Sequence, residues 1–292
     1  MADQPFELEI FRTLWGFQGR WQQACDELRA AGFDGIEARL PADAGTRTAL
    51  ADFLQAERLP YICILFTSAP VLPRQSDTPA DHLDDFARQL AWSHELAPRF
   101  VNVLAGNDRW PLSSQVEFFG RALEIAADSG LTCVFETHRA RSLYSPWVTL
   151  ELIRQLPELR FTSDISHWVV TCERLLDDPA DDLTAFIERV HHIQARVGYD
   201  QGPQVPHPAA PEHAEALAFH QRHWAAIWEA QRAQGREITT LTPEFGADGY
   251  LHHLPFTDVP VANLWQLNRW MADCERRHFD RWSTHQPLSM EP

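Results

Sequence analysis

The chain has 292 residues, 45% of them apolar, and a formal charge of −16 from 41 acidic and 25 basic side chains. That length suits one large α/β domain with ample material for a core, and the acidic balance argues against nucleic acid, whose phosphates need a basic face. All 25 basic residues are arginine. Arginine stays protonated, so lysine-imine aldolases, transaldolases, pyridoxal-phosphate enzymes and lysine-dependent phosphate loops are excluded.

Read in order, apolar runs alternate with helical periodicity. Leu8 to Trp15 reads as a strand, followed by an amphipathic helix through Trp21, Cys25 and Leu28 that stops at Gly32. Gly35 to Ala38 is a short second strand, Thr46 to Arg58 a helix, and Tyr61 to Phe66 a third strand. A proline-rich loop, Ser68 to Pro79, leads into a helix over Ala80 to Leu96 and a strand over Arg99 to Leu104. The helix Ser113 to Ser129 ends at Gly130, where glycine tolerates positive φ. Four further strands lie within Leu131–His138, Arg160–His167, Val190–Arg196 and Thr239–Gly246. Helices near Pro146–Leu156, Asp181–Arg189 and Glu212–Gln234 separate them, and a last one runs from Val261 to about Trp282. Residues 283–292 lack periodicity and read as a disordered tail, leaving one domain over 1–282.

Eight strand–helix units imply a parallel sheet, and their number favours a closed (β/α)8 TIM barrel over an open sheet with a glycine-rich first turn. The loop from Gly198 to Pro211, which includes Tyr199, Asp200 and Gln204, exceeds ordinary connection lengths and reads as a lid. The five scattered cysteines fit reduced thiols, and the N-terminus lacks a basic and an apolar export region. No run approaches the roughly 20 apolar residues that span a membrane. A cytoplasmic protein is therefore expected.

The last four strands end in Glu136-Thr-His138, Asp164-Ile-Ser-His167, Gln194-Ala-Arg196 and Glu244-Phe-Gly246. Parallel barrels assemble their sites where strands end, and residues two apart share a face. Glu136 and His138 therefore point the same way, as do His192, Gln194 and Arg196. Asp164 and His167 converge only if their strand stops between them. Glu136, Asp164, Gln194 and Glu244 together suit a divalent cation: Mn²⁺ or Mg²⁺ first, with Co²⁺ or Zn²⁺ as alternatives.

This pattern resembles the xylose isomerase-like superfamily of sugar isomerases and epimerases, including hydroxypyruvate isomerases and tagatose-type epimerases. Its members place glutamate on strand five, Asp-x-x-His on strand six, histidine or glutamine on strand seven and glutamate on strand eight. The resemblance implies metal ligation by Glu136, Asp164, Gln194 and Glu244. It also implies proton transfer by Glu136 and Glu244 on a small sugar, sugar derivative or hydroxy-keto acid. Such a reaction needs a base, an acid and stabilisation of an enediolate, which a metal on the carbonyl and neighbouring hydroxyl oxygens supplies. His167 would bond a substrate oxygen and Arg196 would offset developing charge.

Further pocket candidates are His138, which can orient Glu136 or touch substrate, and Arg141, within a string that suits an anionic or polyhydroxy ligand. Trp15 is placed to stack on a sugar or to join the core, and Asn107, Asp108 and Trp110 follow strand four. Of the adjacent His191 and His192, at most one faces the site. A dehydratase on the same scaffold is the nearest rival. An endonuclease IV-like repair enzyme, which needs three metals and a basic groove, and a non-catalytic barrel are more remote. Substrate, metal identity and homo-oligomerisation stay open at this level.

Overall fold

A computed structural model describes residues 6–68 and 71–284. Eight strands run in parallel: β1 (Glu7–Thr13), β2 (Gly35–Arg39), β3 (Tyr61–Phe66), β4 (Phe100–Leu104), β5 (Cys133–Glu136), β6 (Phe161–Ser163), β7 (Val190–Gln194) and β8 (Ile238–Thr242). They pair in sequence order, and β8 returns to β1, with Leu8 opposite Thr239, to close a barrel. The (β/α)8 expectation is met.

Helices α1 (Trp21–Ala30), α2 (Ala44–Glu57), α3 (Pro79–Ser93) and α4 (Leu112–Ser129) cover the first half. Helices α5 (Pro146–Gln155), α6 (Ser166–Cys172), α7 (Thr184–Ile187), α8 (Ala214–Ala233) and α9 (Leu264–Thr284) cover the second. Local chemistry fixes several ends. Asp43 accepts from Thr46 N at 2.8 Å at the start of α2. Thr78 and Asp81 form a reciprocal cap on α3, with Pro79 in its first turn, and Gly130 closes α4 at φ +70°.

Three details differ from the sequence reading. Strands β5 to β8 are shorter than their apolar runs, because the polar residues past each end splay into the barrel mouth. Helix α6 is an addition, starting two residues after Asp164. Helix α9 extends to Thr284, with Phe279 and Trp282 packed on Phe6 and Trp228, so Ser283 and Thr284 are helical where a tail was expected; residues 285–292 lie outside the described ones. No described helix is long and apolar enough to cross a membrane. Most core side chains lie between barrel and helices, while Phe11, Ile62, Phe100 and Val134 form a separate cluster.

Candidate active site

Alternation along the strands stacks the inward side chains in layers. Phe100 is followed two residues on by Asn102, and Val134 by Glu136. The apolar plug thus gives way toward the C-terminal mouth to a polar layer of Glu37, Asn102, Glu136 and Gln194, all buried. β6 stops at Ser163, so Asp164 and His167 converge as the spacing required, with α6 beginning between them.

Glu136, Asp164 and Glu244 present carboxylate oxygens within 4.8 Å of one another, and Glu136, His138 and His167 present a second such set. Asn102 Nδ2 donates to Glu136 Oε2 at 2.5 Å. Asp164 Oδ1 accepts from Ser166 N at 3.2 Å and from Ser166 Oγ at 2.5 Å. Its other oxygen accepts from Arg196 Nη2. The same guanidinium nitrogen lies 2.8 Å from His167 Nε2 and 3.4 Å from Glu244 Oε2. Arg196 is 1% exposed, and its guanidinium also lies 4.6 Å from the Tyr250 ring and 5.7 Å from that of Trp15.

Burial pushes the Glu136 carboxyl up to about 8, helped by the Asp164 charge. Burial raises Glu244 strongly and Asp164 as well, with Arg196 opposing the shift in both. On Arg196 burial acts downward, but the Asp164 and Glu244 charges outweigh it and hold the group above its usual range. Burial, then neighbouring positive charge, keeps His138 and His167 far below the ordinary histidine value, so both are neutral bases.

A divalent cation fits this donor set. Three clustered carboxylates face a single guanidinium, and Glu37 Oε2, Gln194 Oε1 and Glu244 Oε2 are buried without a hydrogen-bond donor. Surplus buried acceptors call for protons or a cation.

The structure separates the expected residues into groups. Glu136, Glu244, His138, Arg196 and Trp15 line one cavity of about 580 Å³; Asp164, Gln194 and His167 lie below its surface. Gln194 is turned toward β2, its Nε2 donating to Glu37 Oε1 at 2.9 Å. His138 pairs through Nδ1 with Arg139 O at 2.5 Å, its ring lies 3.9 Å from that of His167, and it presents a ring nitrogen within 4.8 Å of a Glu136 oxygen. Trp15 rests on Gly246, where a Cβ would fall 2.0 Å from the indole, and its Nε1 donates to Asp248 Oδ2 at 2.7 Å.

Arg141 and Trp110 depart from the expectation, since neither lines the cavity. The buried Arg141 guanidinium donates to the carbonyls of Thr67, Val71 and Gly106, and Trp110 packs edge-on against His82. Asn107 and Asp108 are also outside the lining. His192 is the inward member of its pair, its Nδ1 2.8 Å from Thr240 Oγ1. Gln204 clamps the 198–211 loop to Gly246, accepting from its N at 2.9 Å, and none of Tyr199, Asp200 and Gln204 lines the cavity.

Sequence reasoning passed over Asn102, Glu37, Asp248 and Tyr250. Only Glu37 left a signal, a carboxylate inside the apolar segment Gly35-Ile-Glu37-Ala38. Asn102 looks like any strand residue, and Tyr250 and Asp248 sit on the irregular segment after β8.

Residues 25–205 match the family model described as xylose isomerase-like TIM barrel. No curated protein matches significantly in sequence. Among solved structures, an L-ribulose 3-epimerase superposes with TM-score 0.65 at 13% identity, covering 97% of this chain and 99% of that one. The probable 3-DHS dehydratase AsbF of Bacillus anthracis gives TM-score 0.60 at 14% identity, covering 92% and 99%. The IolI protein with a bound zinc atom gives TM-score 0.60 at 12%, covering 96% and 100%. At such identities the likeness establishes the fold.

Proposed function

The chain belongs to the xylose isomerase-like TIM barrel family, and from that premise we propose that it is a divalent-metal-dependent isomerase or epimerase acting on a small sugar, sugar derivative or hydroxy-keto acid. One observation carries this reading: of the clustered carboxylates, Glu136 and Glu244 line the cavity, approaching from β5 and from beyond β8. They form an acid/base pair that a substrate carbon can enter between.

Glu136, Asp164 and Glu244 are the residues to hold the ion, with the unpartnered Gln194 Oε1 as a further oxygen donor. When bound, the ion would supply Lewis acidity to a carbonyl oxygen. Glu136 takes the proton from the carbon next to the carbonyl, and the C–H electron pair becomes the double bond of an enediolate. Glu244, protonated at the start of the cycle, gives its proton to the opposite face of the same carbon for epimerisation; for isomerisation the neighbouring carbon takes it instead, while the hydroxyl proton passes to the former carbonyl oxygen. Asn102 holds the Glu136 carboxylate at one oxygen and leaves the other for the substrate. Arg196 faces the cavity with Nη1 unpartnered, available to a substrate oxygen. Trp15 and Tyr250 supply an aromatic wall, and Phe66, Leu72 and Leu104 an apolar one.

The test is incubation of Mn²⁺- or Co²⁺-loaded protein with ketoses, hydroxy-keto acids and inososes in D₂O. Isomerase or epimerase action incorporates deuterium next to the carbonyl and yields a product of otherwise equal composition. A product lighter by one water makes the protein a dehydratase using the same base. No exchange with any of these classes removes the proton-transfer reading.

A further inference from the structure

Asp164 is the one clustered carboxylate that does not reach the cavity, and Arg196 is what covers it. Both Asp164 oxygens are committed, one to Ser166 and the other to Arg196 Nη2. That same nitrogen is also the nearest cationic group to Glu244, at 3.4 Å. A metal ion on Glu136, Asp164 and Glu244 would claim the oxygens that the guanidinium now serves. Carboxylate–metal distances of about 2.0–2.2 Å leave no room for an N–H donor along the same approach. Two cations so close together in a buried site also repel strongly.

The guanidinium already holds a second set of contacts, which can retain it once Asp164 and Glu244 are claimed by an ion. The rings of Tyr250 and Trp15, 4.6 and 5.7 Å away, form an aromatic wall beside it, and aromatic faces attract guanidinium groups. Its Nη1 has no partner, so the displacement costs the bonds of Nη2 to Asp164 and His167 and the 3.2 Å bond of Nε to Ser166 Oγ, and none at Nη1.

We propose that Arg196 is a built-in cation of the carboxylate cluster, and that a divalent ion binds by displacing it from Asp164 and Glu244 toward Tyr250 and Trp15. The inference rests on the metal-dependent reading above and specifies how this chain controls it. Arg196 neutralises the cluster in the metal-free protein, sets a limit on metal affinity, and moves to the substrate side when the ion enters.

The experiment compares Co²⁺ binding to the wild type and to Arg196→Met by calorimetry and by the visible absorption of bound Co²⁺. The substitution is expected to tighten Co²⁺ binding tenfold or more. It should also make the melting temperature more sensitive to Co²⁺ and to chelator than that of the wild type. Arg196→Lys, which keeps a charge on a compact ammonium, is expected to fall between the two, and it carries the test if Arg196→Met does not fold. The chain contains no other lysine, so the side-chain ammonium signal of Arg196→Lys is unique in an NMR spectrum and must shift when a diamagnetic divalent ion is added. Equal or weaker Co²⁺ binding by the variants overturns the displacement and leaves the metal-dependent reading intact. Absence of binding to wild type and variants alike, at millimolar Co²⁺, removes the metal-dependent reading and the displacement with it.

Discussion

The two halves of the barrel mouth are built differently. Strands β1 to β4 carry Trp15, Ile64, Phe66 and Leu104 to the cavity, with Glu37 as their one buried acid; strands β5 to β8 carry Glu136, Asp164, Gln194, Arg196 and Glu244. Two buried arginines, Arg141 after β5 and Arg196 after β7, make an instructive contrast, because the first reaches across to brace the loops of the first half. Arg141 donates to neutral backbone carbonyls after β3 and β4, and burial lowers it to about 10. Arg196 donates to carboxylates, and their charges raise it. A guanidinium held by carbonyls braces loops, whereas one held by surplus carboxylates is part of a charge balance that an arriving ion can change. The first half is thus a wall for binding, and the second holds the chemistry.

The division is broken most directly at Glu136. Glu136→Gln should lower kcat about a thousandfold, as removal of a general base does, with the far-ultraviolet spectrum unchanged; retention of turnover would place the chemistry elsewhere. Arg141→Met should lower stability by roughly 3 kcal/mol, because three carbonyls lose a charged donor. Urea denaturation measures this, and unchanged Co²⁺ affinity in that variant would confirm that the halves are separable.

Acidity sharpens the same contrast. The Glu136 carboxyl titrates near 8 in the folded chain against about 4.5 unfolded, so the folded state holds more protons between those values. Stability of the metal-free protein is therefore fully present below about pH 4.5 as far as this group is concerned, and it is lost as the pH rises toward 8. Glu244, raised in the same direction, adds to the effect. The melting temperature should fall by several degrees across that window, and the fall should shrink in Glu136→Gln or with metal bound. A rise instead would show that the cluster is already neutralised. The smallest effect is expected on the wall: Trp15→Ala should raise KM about tenfold, roughly 1.4 kcal/mol, with little change in kcat. A larger fall in kcat than rise in KM would move Trp15 to the reacting side.

Much of this was legible in order along the chain. Alternating apolar periodicities determined eight strand–helix units, and two-residue spacing determined that Glu136 shares a face with His138, and Gln194 with Arg196. Those are properties of local backbone geometry, which neighbouring residues dictate. The missing lysines removed imine chemistry without any coordinates. Tertiary structure alone decided which polar residues meet. Arg141 and Arg139 are two residues apart, yet only Arg139 lines the cavity. Glu37 reaches Gln194 from 157 positions away, and Asn102 reaches Glu136 from the next strand. Closure of the barrel sets such pairings, because it fixes strand stagger and the distance across the mouth. Local spacing places donors at four strand ends, whereas barrel closure brings Arg196 among their carboxylates.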